Sequence, residues 1–160
     1  DLSGIIPKGS FYKTPKELIA VVSDFVTRML QDKLKVEDVV ILTIDSVKNS
    51  MLQNNMHIGS IPISTTPKKG HILFTSVRKF KGLEAKAILL IDIYVDKLDD
   101  ELHKRLIYVG CSRASTYLQM AFYDNVEISE YENIIKHYSD KALSKNHKLD
   151  LLDIFGIDTI

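Results

Sequence analysis

HILFTSVRKFKGLEAKAILLIDIYVDKLDDELHKRLIYVGCSRASTYLQM, residues His71–Met120, decides how the chain is read. It holds a short apolar run, the basic loop TSVRKFKGLEA with its glycine at Gly82, and a longer apolar run reaching Tyr94. A helical segment ending YVGCSRAS follows, and then a further apolar run. Residues 71–75, Ala87–Tyr94 and Thr116–Tyr123 are predicted strands, because apolar and β-branched residues fill runs of strand length. Asp99 or Asp100 is placed to cap the intervening helix. On that helix Leu102, Leu106 and Val109 make a stripe, and His103, Lys104 and Arg105 lie off it.

Upstream, Val39–Ile44 is continuous and largely β-branched, as a strand covered on both faces requires. Thr14, Pro15 and Glu17 spell a helix start, with Thr14 as N-cap and Glu17 completing a capping box. Leu18, Val21, Val22, Phe25, Val26, Met29 and Leu30 follow at helical spacing. Asp45 or Ser46 is expected to open a short helix to about Asn54. Residues 55–70 read as an irregular excursion with a short strand near Ile61–Ser64. Downstream, Ser129 and Glu132 form a second capping box for a helix with Ile134, Ile135 and Tyr138 inward. Residues 1–13 read as a loop with at most an edge strand, and 145–160 as a helical turn on the core or a segment belonging to a neighbour. Both ends are expected to be peripheral, and the loop start without an initiator methionine points to a piece of a longer polypeptide. Strands alternating with helices predict a three-layer α/β domain over 1–160 with a mostly parallel sheet. Ligands of such sheets gather at the carboxyl ends of strands, where both loops are expected to lie.

The chain has 160 residues, enough for one domain with its own core. Equal counts of basic and acidic residues, 21 each, mean that any polyanion must be held by a local patch. One cysteine, Cys111, excludes an internal disulfide, and His57, His71, His103, His137 and His147 lack metal-ligand spacing, so no metal site is expected. No apolar run approaches the roughly 18 residues of a membrane span, and no signal-peptide pattern opens the chain, so no membrane partner and a cytoplasmic location are expected.

Gly82 frees backbone to bend or approach a ligand, and Ser76, Arg78, Lys79 and Lys81 supply hydroxyl and cationic donors suited to a phosphodiester. Glu84 is a carboxylate suited to a ribose hydroxyl. On composition alone, however, a solvated turn with a Lys81–Glu84 ion pair worth about 0–1 kcal/mol is the favoured reading. Arg113 offers a planar fork for phosphate oxygens, but taken alone it is better read as neutralising a helix C-terminus.

KFKGLEAKAILLI and KRLIYVGCSRASTYL, in this order and separation, resemble the fifth and sixth helicase motifs of UvrD/Rep-type superfamily 1 DNA helicases. The second RecA-like domain of that family carries T-x-H-x-x-K-G-L-E and later R-L-x-Y-V-x-x-[ST]-R-A. The resemblance spans about 75–118, with looser agreement over Val39–Thr43 and its preceding helix. It implies a RecA-like, P-loop NTPase-like C-terminal domain of an ATP-dependent DNA helicase. Arg113 then looks like the arginine at the γ-phosphate, and Gly82, Glu84 and Lys81 like residues on the nucleotide side. Ser76 and Arg78 hold the places of the threonine and histidine that face single-stranded or partly duplex DNA, with Lys79 beside them, although arginine replaces histidine. Tyr108 looks like the packing tyrosine of the second motif, and Cys111 reads as a small buried residue.

No G-x-x-x-x-G-K-[ST] and no Walker B acid pair is present, so ATP with Mg2+ is expected to be held mainly by an N-terminal RecA-like domain that this sequence lacks, and the chain alone is expected to be inactive. The family arginine after the first strand is also missing near Ile44, where Lys48 is the nearest cation. That departure supports a rival reading, a non-catalytic helicase-like module that binds nucleic acid or a partner.

Overall fold

Lys8–Tyr12 forms strand β1, and Thr14 then caps helix α1, Pro15–Gln31. The computed structural model describes residues 5–52, 57–140, 143–144 and 146–160. Thr14 Oγ1 accepts the Glu17 amide at 3.1 Å, and Glu17 Oε1 accepts the Lys13 amide at 2.8 Å. The box thus closes one residue before the cap. Leu18, Val22, Phe25, Val26 and Met29 are buried on α1, each worth about 1.5–3 kcal/mol.

Strand β2, Val39–Thr43, is buried at every position, as its unbroken apolar run predicts. A 3-10 turn at Val47–Asn49 stands where a longer helix was expected. Ser50 ends it, because its hydroxyl donates to Asp92 and accepts the Leu52 amide. The rest of that expected helix, residues 53 and 54, lies outside the described residues. The excursion is a hairpin of β3, His57–Ile58, and β4, Ile61–Ser64. There follow β5, Ile72–Ser76, β6, Ala85–Tyr94, helix α2, Glu101–Cys111, and β7, Ala114–Tyr123. Helices α3, Ile128–Tyr138, and α4, His147–Ile154, and strand β8, Asp158–Thr159, complete the described elements.

The strands form one eight-stranded sheet in the order β3-β4-β5-β2-β6-β7-β1-β8. Every pairing except β3 with β4 is parallel. Alternation along the strands splits the core between the two faces. Val39, Ile41, Leu89 and Ile91 pack with α1, whereas Val40, Leu42, Ile88 and Leu90 pack with residues of α2, α3 and α4. The domain is therefore a three-layer α/β structure with a mostly parallel sheet.

Four expectations change. Strand β1 is an inner strand between β7 and β8, because the tail turns back to pair with Lys8 and Gly9, and Tyr12 at its end is 1% exposed in the α1-side core. Leu151 and Leu152 of that tail are buried in the chain's own core. Helix α3 begins from Glu127, two residues before Ser129, and Tyr131 rather than Tyr138 is fully buried because its hydroxyl is anchored on Asp124 at 2.6 Å. On α2 the inward stripe is rotated. Leu102 is exposed and His103 buried, since His103 Nε2 accepts the Tyr94 amide at 3.0 Å. Burial holds that imidazole below its usual pKa, which suits an acceptor nitrogen.

Candidate functional site

Ser76 closes β5 at the carboxyl edge of the sheet, and the chain must return to the amino edge before β6 can start parallel to it. It does so through Val77–Glu84, without a helix. The Phe80 amide donates to the Ser76 carbonyl at 3.1 Å, and Val77 and Phe80 are buried as plugs under the crossing. Gly82 turns the chain into β6 with φ +81°, a conformation that favours glycine, and nothing lies within 4 Å of where a Cβ would stand. Its backbone is therefore open to solvent, with Lys81 and Glu84 exposed beside it.

Arg113 lies at the same amino edge. The Ala85 amide donates to the Arg113 carbonyl at 3.0 Å, and Ala85 is in register with Ala114. Glu84 and Arg113 thus stand at the adjoining amino ends of β6 and β7. Arg113 is half-buried, and its Nε and Nη2 donate to Ser112 Oγ at 3.2 and 3.0 Å. Ser112 Oγ is itself fixed by donating to the Val109 carbonyl at 2.7 Å. Among the described residues Arg113 has no carboxylate partner, and no ion pair joins Lys81 to Glu84. A guanidinium carries five N–H donors, so this one keeps directional donors for an anion from outside.

The expectation that both loops sit at carboxyl ends is therefore corrected. Only Ser76–Lys79 does so; Gly82, Glu84 and Arg113 occupy the opposite edge, about 17 Å away for five residues of strand. Ser76 is buried, and its Oγ accepts the Lys79 amide at 3.2 Å, so the hydroxyl shapes the turn. Arg78 and Lys79 are exposed. Ile44 and Lys48 also follow the carboxyl end of β2, and no cation there can share an anion with Arg113. The first strand of this chain is β1 rather than β2, and the cation after it, Lys13, pairs with Asp124 at 3.8 Å. Tyr108 is 70% exposed instead of packed. Cys111 is buried, and burial pushes its thiol up to about 12.

At the carboxyl edge the structure adds a network that the sequence reading missed. Asp92 breaks the alternation of β6 at a bulge, with φ +61° and 1% exposure. Its Oδ2 accepts from Thr43 Oγ1 and Ser50 Oγ, both at 2.6 Å, and its Oδ1 from the Tyr12 hydroxyl at 3.2 Å. Thr43 Oγ1 in turn accepts the Asp45 amide at 3.0 Å, and the Tyr94 hydroxyl donates to the Asp45 carboxylate. The available signal was a lone aspartate inside the apolar run AILLIDIYV.

A cavity of about 650 Å3 opens at the amino edge between Glu84, Lys86 and the turn Pro67–His71. Glu37 on its rim accepts the Gly70 amide at 2.7 Å, and that bond holds its carboxyl below the usual range. Among the described residues no group of three His, Cys, Asp or Glu could hold a metal ion, and no helix is long and apolar enough to cross a membrane.

Residues 71–121 match the family model of the UvrD-like helicase C-terminal domain. The fold is similar to the crystal structure of the C-terminal domain of a possible DNA helicase from Lactobacillus plantarum WCFS1, at a TM-score of 0.63 and 16% identity over 76% of each chain. No curated protein sequence matches the chain. The matched segment contains both edges of the site, from the strand that delivers Arg78 to the helix that delivers Arg113.

Proposed function

From residues 71–121 as a UvrD-like helicase C-terminal segment, we propose that this chain is the C-terminal motor domain of an ATP-dependent DNA helicase or translocase. The observation that carries the proposal is Arg113, a half-buried guanidinium positioned by Ser112 and Ala85 with no carboxylate among the described residues to neutralise it. Burying part of a cation without a partner is costly, and an anion from outside offsets that cost. ATP with Mg2+ would supply a phosphoryl group whose transfer this guanidinium is suited to stabilise. Glu84 and the open backbone at Gly82 would meet the ribose side, with Lys81 beside them. Among the described residues no cluster of three His, Cys, Asp or Glu fits a metal, and in this reading Mg2+ would be held mainly by an N-terminal RecA-like domain of the same protein.

Arg78 and Lys79, on the far edge, would hold backbone phosphates of single-stranded DNA. In this reading the nucleotide and the strand never share residues. Closure of the partner domain onto the amino edge would shift the grip of the carboxyl-edge turn Ser76–Lys79 along the strand. In the complete protein, Arg113→Ala should lower kcat for ATP by about 10³ and leave DNA affinity within about twofold. A loss under tenfold would reject the arginine's role and favour the non-catalytic module.

A further inference from the structure

The carboxyl edge contains a second cavity, of about 320 Å3, between the turn after β2 and the start of α2. Arg78 stands at its rim, with Asp45, Tyr94, Lys97 and Leu102 among its walls. We propose that this cavity receives an unstacked base of single-stranded DNA and selects bases carrying an exocyclic amino group, with Asp45 as the reading carboxylate. The proposal rests on the assignment of the carboxyl edge to nucleic acid.

The cavity has the chemistry of a base pocket. Leu102 is 51% exposed on the first turn of α2, an apolar wall of the cavity, and an apolar face is what the plane of a base needs. Lys97 lies 4.9 Å from the Tyr94 ring centroid, so a cation stands at the mouth together with Arg78. Neither Arg78 nor Lys97 has a carboxylate partner among the described residues, and both are free to meet the phosphates flanking a flipped nucleotide.

Asp45 is a fixed acceptor. Its amide is held by Thr43, Thr43 by the buried Asp92, and its carboxylate by the Tyr94 hydroxyl. A carboxylate accepts about four hydrogen bonds, so one donor from Tyr94 leaves room for a base amine. Asp100, the other carboxylate in the cavity, is already engaged by the His103 amide at 2.8 Å. Cytosine presents its N4 amine to such an acceptor. Thymine of equal ring size presents carbonyl oxygens on both sides of its single N–H, and these repel a carboxylate.

The test is fluorescence anisotropy of the 160-residue chain with labelled oligo(dC) and oligo(dT) of equal length, at low and moderate salt. Oligo(dC) should bind about tenfold more tightly than oligo(dT), the discrimination of one good base contact. Asp45→Asn, whose side-chain carbonyl can still accept from Tyr94, should reduce the preference below about twofold, and Arg78→Ala should weaken both strands alike. Equal wild-type affinity for the two strands, or a preference that survives Asp45→Asn, overturns the base pocket and leaves the nucleic-acid edge standing. Absence of binding to either strand overturns both. Displacement of the strand by free dCMP at comparable concentration would mark a mononucleotide site and also overturn the proposal. The wild-type comparison decides the matter if the variant does not fold.

Discussion

Replacing Gly110 with alanine tests whether helix α2 sits on the sheet as closely as the placement of Arg113 requires. A Cβ at Gly110 would lie 2.8 Å from Leu90 Cδ1 and 3.1 Å from Val77 Cγ2. Leu90 is 0% exposed and Val77 1%, so neither methyl can swing into solvent, and the helix or the core must shift by a few tenths of an ångström. Such overpacking costs about 1–3 kcal/mol. Alanine favours a helix over glycine by about 1 kcal/mol, and by less this near the helix end. The net expectation is a loss of about 1 kcal/mol, or a Tm lower by about 2–4 °C for a chain of this length. Urea unfolding monitored by circular dichroism measures it, with an unchanged m-value. Because Ser112 and Arg113 follow within one turn, the proposed motor role adds that ATP turnover of the complete protein should fall by more than the stability change explains. A variant more stable than wild type would show slack between α2 and β6 and refute the close approach.

Three further outcomes follow from named contacts. Asp124→Ala removes the acceptor of the buried Tyr131 hydroxyl at 2.6 Å and the partner of Lys148 at 3.0 Å, so urea unfolding should show a loss of about 1–3 kcal/mol at neutral pH. Burial pulls the Asp124 carboxyl upward, but the bonds from Tyr131 and Lys148 bring it below its usual range. A depressed carboxyl stabilises above its unfolded pKa of about 3.9, so the gap between wild type and Asp124→Ala should close as pH falls through the folded value. Asp92 has the opposite sign, because burial raises its carboxyl against the bonds from Ser50 and Thr43. Its protonated form is favoured by folding, so wild type should lose ground to Asp92→Asn as pH rises from the unfolded value of about 3.9 through the raised folded value, and a constant or opposite trend in urea midpoints would contradict this. Thr14→Ala should cost about 1 kcal/mol in thermal or urea unfolding through loss of the α1 cap, and a neutral result would show that the Pro15 start suffices.

The sequence made the strands and the amphipathic α1 legible because burial there follows simple periods: Val39–Thr43 is buried throughout, and the Thr14 box closes on Glu17. What it left unreadable depends on long-range partners. His103 turned inward, where its Nε2 accepts the Tyr94 amide at the end of β6, a contact no helical spacing predicts. The tail became part of the sheet because β1 offered it an open edge at Lys8 and Gly9. Glu84 and Arg113 stand close because the Ala85 amide donates to the Arg113 carbonyl where β6 and β7 begin, but motif spacing could not reveal that Arg78 lies at the other edge. That separation arises from a crossing of eight residues, Val77–Glu84, with no helix to announce a change of edge.

The proposed division of labour between the two edges is tested most directly by one paired measurement on the complete protein. Arg113→Ala and Arg78→Ala are each assayed for ATP turnover at saturating strand and for single-stranded DNA affinity across a salt series. Arg113→Ala should lose about 10³ in turnover with DNA affinity and its salt slope unchanged. Arg78→Ala should weaken DNA binding and reduce the salt slope by about 1, with turnover at saturating DNA within about threefold. If either substitution impaired both properties to a similar degree, the two edges would not act as separate sites and the account would be wrong.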